Sequence, residues 1–197
     1  MEIKDGDILI RPLIQEDVFE MEKWGVHKSP LLADYNYPNM SDTEKRRWYR
    51  IKTFNLFNKY FAILTNSRLI GYMGIKNIKR IRKESTLGIV FDPNFTDKGY
   101  GTRTLELFLN YYFHHMNMKV IYLEVAKFND RAMRVYEKMG FKITSYYCEE
   151  FFNQRLDLKD PYYLEAKASF VIVDEKLYNY IYRMKLKMED FTGNTRS

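Results

Sequence analysis

"LGIVFDPNFTDKGYGTRTLELFLNYYF", residues 87–113, changes its hydrophobic period partway along. Up to Phe91 it is a short apolar run with β-branched residues, which predicts a strand, and Asp92-Pro93 breaks it. Leu105, Phe108, Leu109, Tyr112 and Phe113 then recur at helical spacing. Between the two patterns stand Gly99 and Gly101 at the mouth of the helix. Glycine is a poor helix former, so two of them there point to a task for the backbone itself. The first N–H groups of a helix have no intrahelical partner, and the helix dipole adds partial positive charge. A phosphate or pyrophosphate suits such a mouth, with Lys98 and Arg103 adding attraction. Gly101 is followed by Thr102-Arg103 rather than Lys-Ser/Thr, so no P-loop is present. Thr104 stands where a dinucleotide fingerprint needs its third glycine. Alone, the two glycines fit a tight strand-to-helix turn equally well.

The flanking segments supply a context. Residues 7–13 read as a first strand and 15–25 as a helix with acids in its first turn. Residues 26–40 form a loop, and Ser41 with Glu44 makes a capping box for a helix over 42–55. Strands follow at 60–66, 68–78 and 85–93, the first two joined by Asn66-Ser67, which predicts antiparallel neighbours. A strand at 119–127 comes after the crossover helix and can lie parallel to 85–93. Ala132, Val135, Tyr136 and Met139 form another helical stripe, stopped by Gly140. Strands at 141–151 and 168–178 complete the order, with a polar segment at 152–167 between them. The expected fold is α/β, or α+β with a mixed sheet: one domain over 1–185 and a frayed tail over 186–197.

Composition narrows the class. The chain has 197 residues, 46% of them hydrophobic, enough for one sizeable core. A net charge of +6 favours anionic partners. One cysteine, Cys148, allows no internal disulfide and suggests no zinc cluster, so no metal is expected. No apolar run approaches the roughly 18 residues of a membrane span, and the charged start does not read as a signal peptide, so the expected location is cytoplasmic.

The quoted stretch, with "IYLEVAKFNDRAMRVYEKMGF" (121–141) after it, resembles the acetyl-CoA-dependent N-acetyltransferases of the GNAT superfamily. The residues carrying the resemblance are Gly99 and Gly101, then Asn129, Ala132, Tyr136, Glu137, Lys138, Gly140 and Phe141. "ILIRPL" near the start is similar to the branch containing ribosomal-protein N-terminal and polyamine acetyltransferases. The resemblance covers roughly residues 8–150. It implies a central, mostly antiparallel sheet of about seven strands flanked by about four helices.

It also implies a site. The backbone of Ile89, Val90 and Phe91 would lie beside the pantetheine arm of acetyl-CoA. The N–H groups across Thr96, Asp97, Lys98, Gly99, Tyr100, Gly101 and Thr102 would hold its diphosphate. Asn129 and Ala132 would contact the cofactor from the next helix, with Arg103, Arg131, Arg134 and Lys138 as cations around it. Tyr136 would point its phenol at the thioester sulfur as general acid. Two positions depart from the family: Thr96 replaces the usual Arg or Gln, and Thr86 replaces a common Glu. Glu84, Glu124 or a water is then the base.

The acceptor is expected to be a small-molecule or peptide amine, chosen by the loop 26–40 (Trp24, His27, Tyr35, Tyr37 nearby) and by 150–165 (Phe151, Phe152, Tyr162, Tyr163). Of Glu149 and Glu150, at most one faces the cleft. Attack is expected to be direct, because Cys148 has no histidine near it in sequence. The alternative is a non-catalytic acyl-CoA-binding module. Nucleic acid is not favoured, since "KRRWYRIK" (45–52) suits a solvated helix face better. The chain is expected as a monomer or homodimer, with the final strand available for pairing.

Overall fold

The computed structural model describes residues 2–192. A hairpin of β1 (Ile3–Asp5) and β2 (Ile8–Pro12) opens the chain, followed by α1 (Gln15–Glu20) and α2 (Asp42–Thr53). Then come β3 (Lys59–Thr65), β4 (Arg68–Lys79), β5 (Glu84–Phe91), α3 (Tyr100–Asn110), β6 (Val120–Ala126) and α4 (Asp130–Lys138). The chain closes with β7 (Lys142–Glu150), α5 (Pro161–Ala166), β8 (Phe170–Val173) and β9 (Lys176–Lys187).

Local chemistry explains the joints. Asn66 and Ser67 both take positive φ (47° and 64°), the primed-turn geometry that suits the twist of a two-residue hairpin. Asp174 and Glu175 do the same between β8 and β9 (48° and 62°). The capping box of α2 forms as its sequence predicts, the Ser41 N–H donating to Glu44 Oε2 at 2.8 Å.

The nine strands make one sheet in the order β1-β2-β3-β4-β5-β6-β9-β7, with β8 also paired to β9. β5 and β6 are parallel, as the crossover helix requires, and the other pairs are antiparallel. On one face α3 and α4 bury Leu105, Phe108, Leu109 and Met133 against Met73, Ile75, Leu87, Leu123 and Val125. On the other, Met21 beside α1 and Trp48 and Tyr49 of α2 cover Tyr60, Ala62, Leu64 and Tyr72.

Four expectations are corrected. The sheet has nine strands rather than seven, because the start folds into a hairpin and the last strand is two. A fifth helix, α5, forms in the polar segment, started by Asp160, whose carboxylate accepts from Tyr162 N at 2.8 Å. Fraying does not begin at 186: Leu186 is fully buried and paired with Ile121, and a 3-10 turn follows over Met188–Asp190. Residues 193–197 of the expected tail lie outside the described residues. Finally, β9 is interior, held by β6 and β7, so the open edge near the C-terminus is β7, all nine of whose residues are exposed.

Candidate active site

The parallel ladder between β5 and β6 runs from Glu84↔Val120 to Leu87↔Leu123 and stops. Past that point β5 stays on β4, from Gly88↔Gly74 to Phe91↔Gly71. β6 stays on β9, from Glu124↔Arg183 to Ala126↔Ile181. The two strands therefore part, and the β5 edge over Gly88–Phe91 faces a cleft instead of a neighbouring strand. The cleft measures about 550 Å³ and includes Ile89, Val90 and Phe91 in its lining. That volume suits a small-molecule site.

At one end of the cleft lies the loop into α3. Asp97 (φ 60°) and Gly99 (φ 79°) are both left-handed, which turns successive N–H groups toward a common side. Gly99 is the helix N-cap, and its conformation favours glycine. Arg103 N donates to Gly99 O, so the N–H groups of Tyr100, Gly101 and Thr102 precede the first helical bond. Thr96, Asp97, Gly99, Gly101 and Thr102 line the cleft. Lys98 and Tyr100 do not: Lys98 donates to Asn94 O at 2.8 Å, and the Tyr100 ring packs on Phe95. Arg103, expected beside an anion, is instead paired with Asp7 at 2.5 Å, which ties α3 to the first hairpin. Arg131, Arg134 and Lys138 do line the cleft, with Arg131 3.5 Å from Asp97.

The wall opposite β5 is α4. Asn129 caps it, its Oδ1 accepting from Ala132 N at 3.2 Å, and both residues line the cleft. Tyr136 lies one turn further on, half-buried against the Phe141 ring. Burial raises its phenol pKa well above the ordinary tyrosine range, and Tyr35 adds to the shift. A phenol held in its neutral form can donate a proton. Tyr35 closes this side, and its own phenol is raised by burial and partly offset by the Asn129 amide.

Among the carboxylates, Glu124 lines the cleft and is held by Arg183 through Nη2 at 2.8 Å and Nε at 3.1 Å. Glu84 stands outside the cleft and is bound to Lys79 at 2.8 Å, a hydrogen bond that lowers its pKa. The structure thus does not bring Glu84 to the site, and Thr86 does not line it either. Neither Glu149 nor Glu150 lines it, and Glu150 pairs with Lys176 at 3.0 Å. Cys148 sits exposed on β7, away from the cleft.

The aromatic rim is also revised. His27 and Tyr35 line the cleft, whereas Trp24 and Tyr37 pack into the core under α1 and α2. Phe151 and Tyr163 belong to a third buried cluster with Leu31, Leu156, Phe170 and Leu177. In their place the cleft has Lys52, Tyr60, Tyr72 and Lys76, which the sequence reading missed. One signal was available: Trp48 and Lys52 are four apart on α2, and the ammonium lies 5.3 Å from the indole.

The acetyltransferase (GNAT) domain model matches residues 7–142. The spermidine N(1)-acetyltransferase of Escherichia coli (strain K12) is 24% identical over 145 residues, covering 74% of this chain and 78% of its own. An N-alpha-acetyltransferase of Saccharolobus solfataricus is 26% identical over 160 residues, covering 74% and 89%. Among solved structures, the spermidine N-acetyltransferase from Vibrio cholerae in complex with CoA and spermine superposes with a TM-score of 0.70 at 21% identity, covering 94% and 98%. Among the described residues no helix is long and apolar enough to cross a membrane, and no cluster suited to a metal ion occurs. The chain belongs to the acetyltransferase (GNAT) domain family, the acetyl-CoA-dependent N-acetyltransferases.

Proposed function

We propose that the protein transfers the acetyl group of acetyl-CoA to a primary amine by direct attack, with Tyr136 as general acid. The observation that carries this is the parting of β5 and β6 beside the N–H groups of 96–102, with Tyr136 across the gap. The β5 edge over Gly88–Phe91 pairs with the pantetheine arm as a strand would. The α3 mouth takes the diphosphate, assisted by Arg131, Arg134 and Lys138. The amine nitrogen forms the new C–N bond as the C–S bond breaks. A backbone N–H near Val90 or Phe91 faces the developing oxyanion. Tyr136 gives its proton to the departing sulfur, and the amine's proton leaves through Glu124, directly or through a water.

Calorimetric titration with acetyl-CoA, using dephospho-CoA and ATP as controls, tests the cradle, and release of the CoA thiol against an amine panel tests transfer. Saturable binding above the controls supports the site. Absence of binding at millimolar acetyl-CoA overturns it. The engagement of Glu84 by Lys79 favours a second reading, an acyl-CoA-binding module without turnover. Binding without transfer to any amine would decide for it. In either case the chain is read as a monomer or a homodimer paired through the open edge of β7. Light scattering at several concentrations checks this.

A further inference from the structure

The α2 side of the cleft is where an acceptor would enter, and its charge is one-sided. Register places Tyr72 with Val90, Gly74 with Gly88 and Lys76 with Thr86 on this face of the sheet. Lys52, on the last turn of α2, reaches the same cavity, its ammonium 5.3 Å from the rings of both Trp48 and Tyr60. Lys76 Nζ comes within 3.7 Å of the point a Cβ on Gly88 would occupy, where β5 and β6 begin to part. Burial, and then the charge of Lys76, lowers the pKa of Lys52.

The carboxylates lining the cleft are Asp97 and Glu124, and both are engaged, by Arg131 and Arg183. Among the described residues, neither Lys52 nor Lys76 has a carboxylate within 4.0 Å. The rings of Tyr60 and Tyr72 line the cleft with them, and Trp48 stands edge-on to Tyr72 at 5.4 Å.

We infer that the acceptor is an amine that also carries an anionic group, a carboxylate or a phosphate, which Lys52 and Lys76 hold while Tyr60 and Tyr72 flank its carbon skeleton. This rests on the acetyl-transfer reading above. A polyamine, cationic at each nitrogen, meets two unpaired ammonium groups in the same space and is a poor acceptor. The same two cations assist the chemistry, because like charge nearby favours the neutral, nucleophilic form of the incoming amine.

The test uses the full chain, with turnover read as CoA thiol release and acceptor binding to the CoA complex read by calorimetry. The arms are glutamate and a short acidic peptide (carboxylate), glucosamine 6-phosphate (phosphate), spermidine, and an uncharged-tail alkylamine. The anionic amines are expected to exceed spermidine in kcat/KM by about tenfold or more, the scale of one charge-assisted contact. Lys52→Met and Lys76→Met should each raise KM for them with the acetyl-CoA Kd unchanged, and Lys52→Glu with Lys76→Glu should turn the preference toward spermidine. Whichever anionic arm responds identifies the group. Anion-dependent binding that the double variant loses supports the inference even where turnover fails. Spermidine bound or turned over best by the wild type overturns it, as does indifference of KM to both lysines. Acetyl-CoA binding without turnover of any amine counts against the transfer reading instead.

Discussion

The Asp92 carboxylate accepts the Gly25 backbone N–H at 2.9 Å, joining positions 67 residues apart. Oδ1 also accepts from Asn94 N at 2.9 Å, and the side chain is fully buried. One carboxylate thus fixes the start of the loop 26–40 to the turn that leads into the α3 cradle, so both walls of the cleft share an anchor. Asp92→Ala strands two N–H groups and should cost about 1–3 kcal/mol in urea unfolding. It should also weaken acetyl-CoA and acceptor together. Asp92→Asn keeps an acceptor oxygen and should recover most of both. Weakening of only one substrate in Asp92→Ala would show that the anchor is not shared.

Gly99 and Gly101 should separate in a pair of alanine variants. Gly99 is left-handed with open space around it, so Gly99→Ala costs about 1 kcal/mol of backbone strain. Gly101 lies inside α3, and a Cβ there would sit 3.7 Å from the Phe91 ring, an ordinary contact. Gly101→Ala should therefore leave stability unchanged or raise it by up to about 1 kcal/mol. If the α3 mouth holds the diphosphate, its acetyl-CoA affinity nonetheless falls about tenfold or more. Full affinity in that variant would remove the reason for glycine at 101.

Tyr136→Phe keeps the ring packed on Phe141 and removes only the hydroxyl. The acetyl-CoA Kd should stay within about twofold, while turnover drops about 100-fold or more, the usual scale of general acid catalysis. Burial holds the wild-type phenol protonated beyond its ordinary pKa of 10.0, so the phenol produces no falling limb in the pH–rate profile between neutrality and that value. Equal turnover of the two proteins at every pH would rule out the acid role.

Gly74 lets the Tyr60 ring lie against β4: a Cβ would come 2.7 Å from ring Cδ1. Gly74→Ala must displace that ring and should destabilise the protein by about 1–3 kcal/mol. Its kinetic effect should fall on acceptor KM rather than on acetyl-CoA Kd, since Tyr60 walls the α2 side. The reverse pattern in steady-state kinetics would place Tyr60 with the cofactor.

His27 supplies a pH-dependent contribution to stability. Burial, then the charge of Arg131, lowers its pKa below the ordinary 6.5, so the unfolded chain binds the proton more readily. Stability tied to His27 is present above pH 6.5 and is lost as pH falls through the folded-state pKa. His27→Gln should flatten the unfolding free energy in that window. An unchanged slope would mean that other groups carry it.

The sequence by itself determined most of the element order, from β3 through α4, but not the opening hairpin, α5 or the division of the last strand. Turn pairs such as Asn66-Ser67, the Ser41–Glu44 box, and the change of period at Asp92-Pro93 are local signals, and local signals survive into the fold. The Gly99 helix mouth, the Asn129 cap and the apolar stripe that holds Tyr136 were legible because backbone conformation, capping and helical spacing are written within a few residues, whereas the roles proposed for them at a cofactor come from the resemblance alone. Tertiary structure alone decided which charges face the cleft. Arg103 reaches Asp7, and Phe151 and Tyr163 turn into a buried cluster, while Lys52 and Lys76 arrive from two distant elements. Such pairings depend on sheet register and on the parting of β5 from β6, contacts between residues far apart in the chain, which no local pattern encodes.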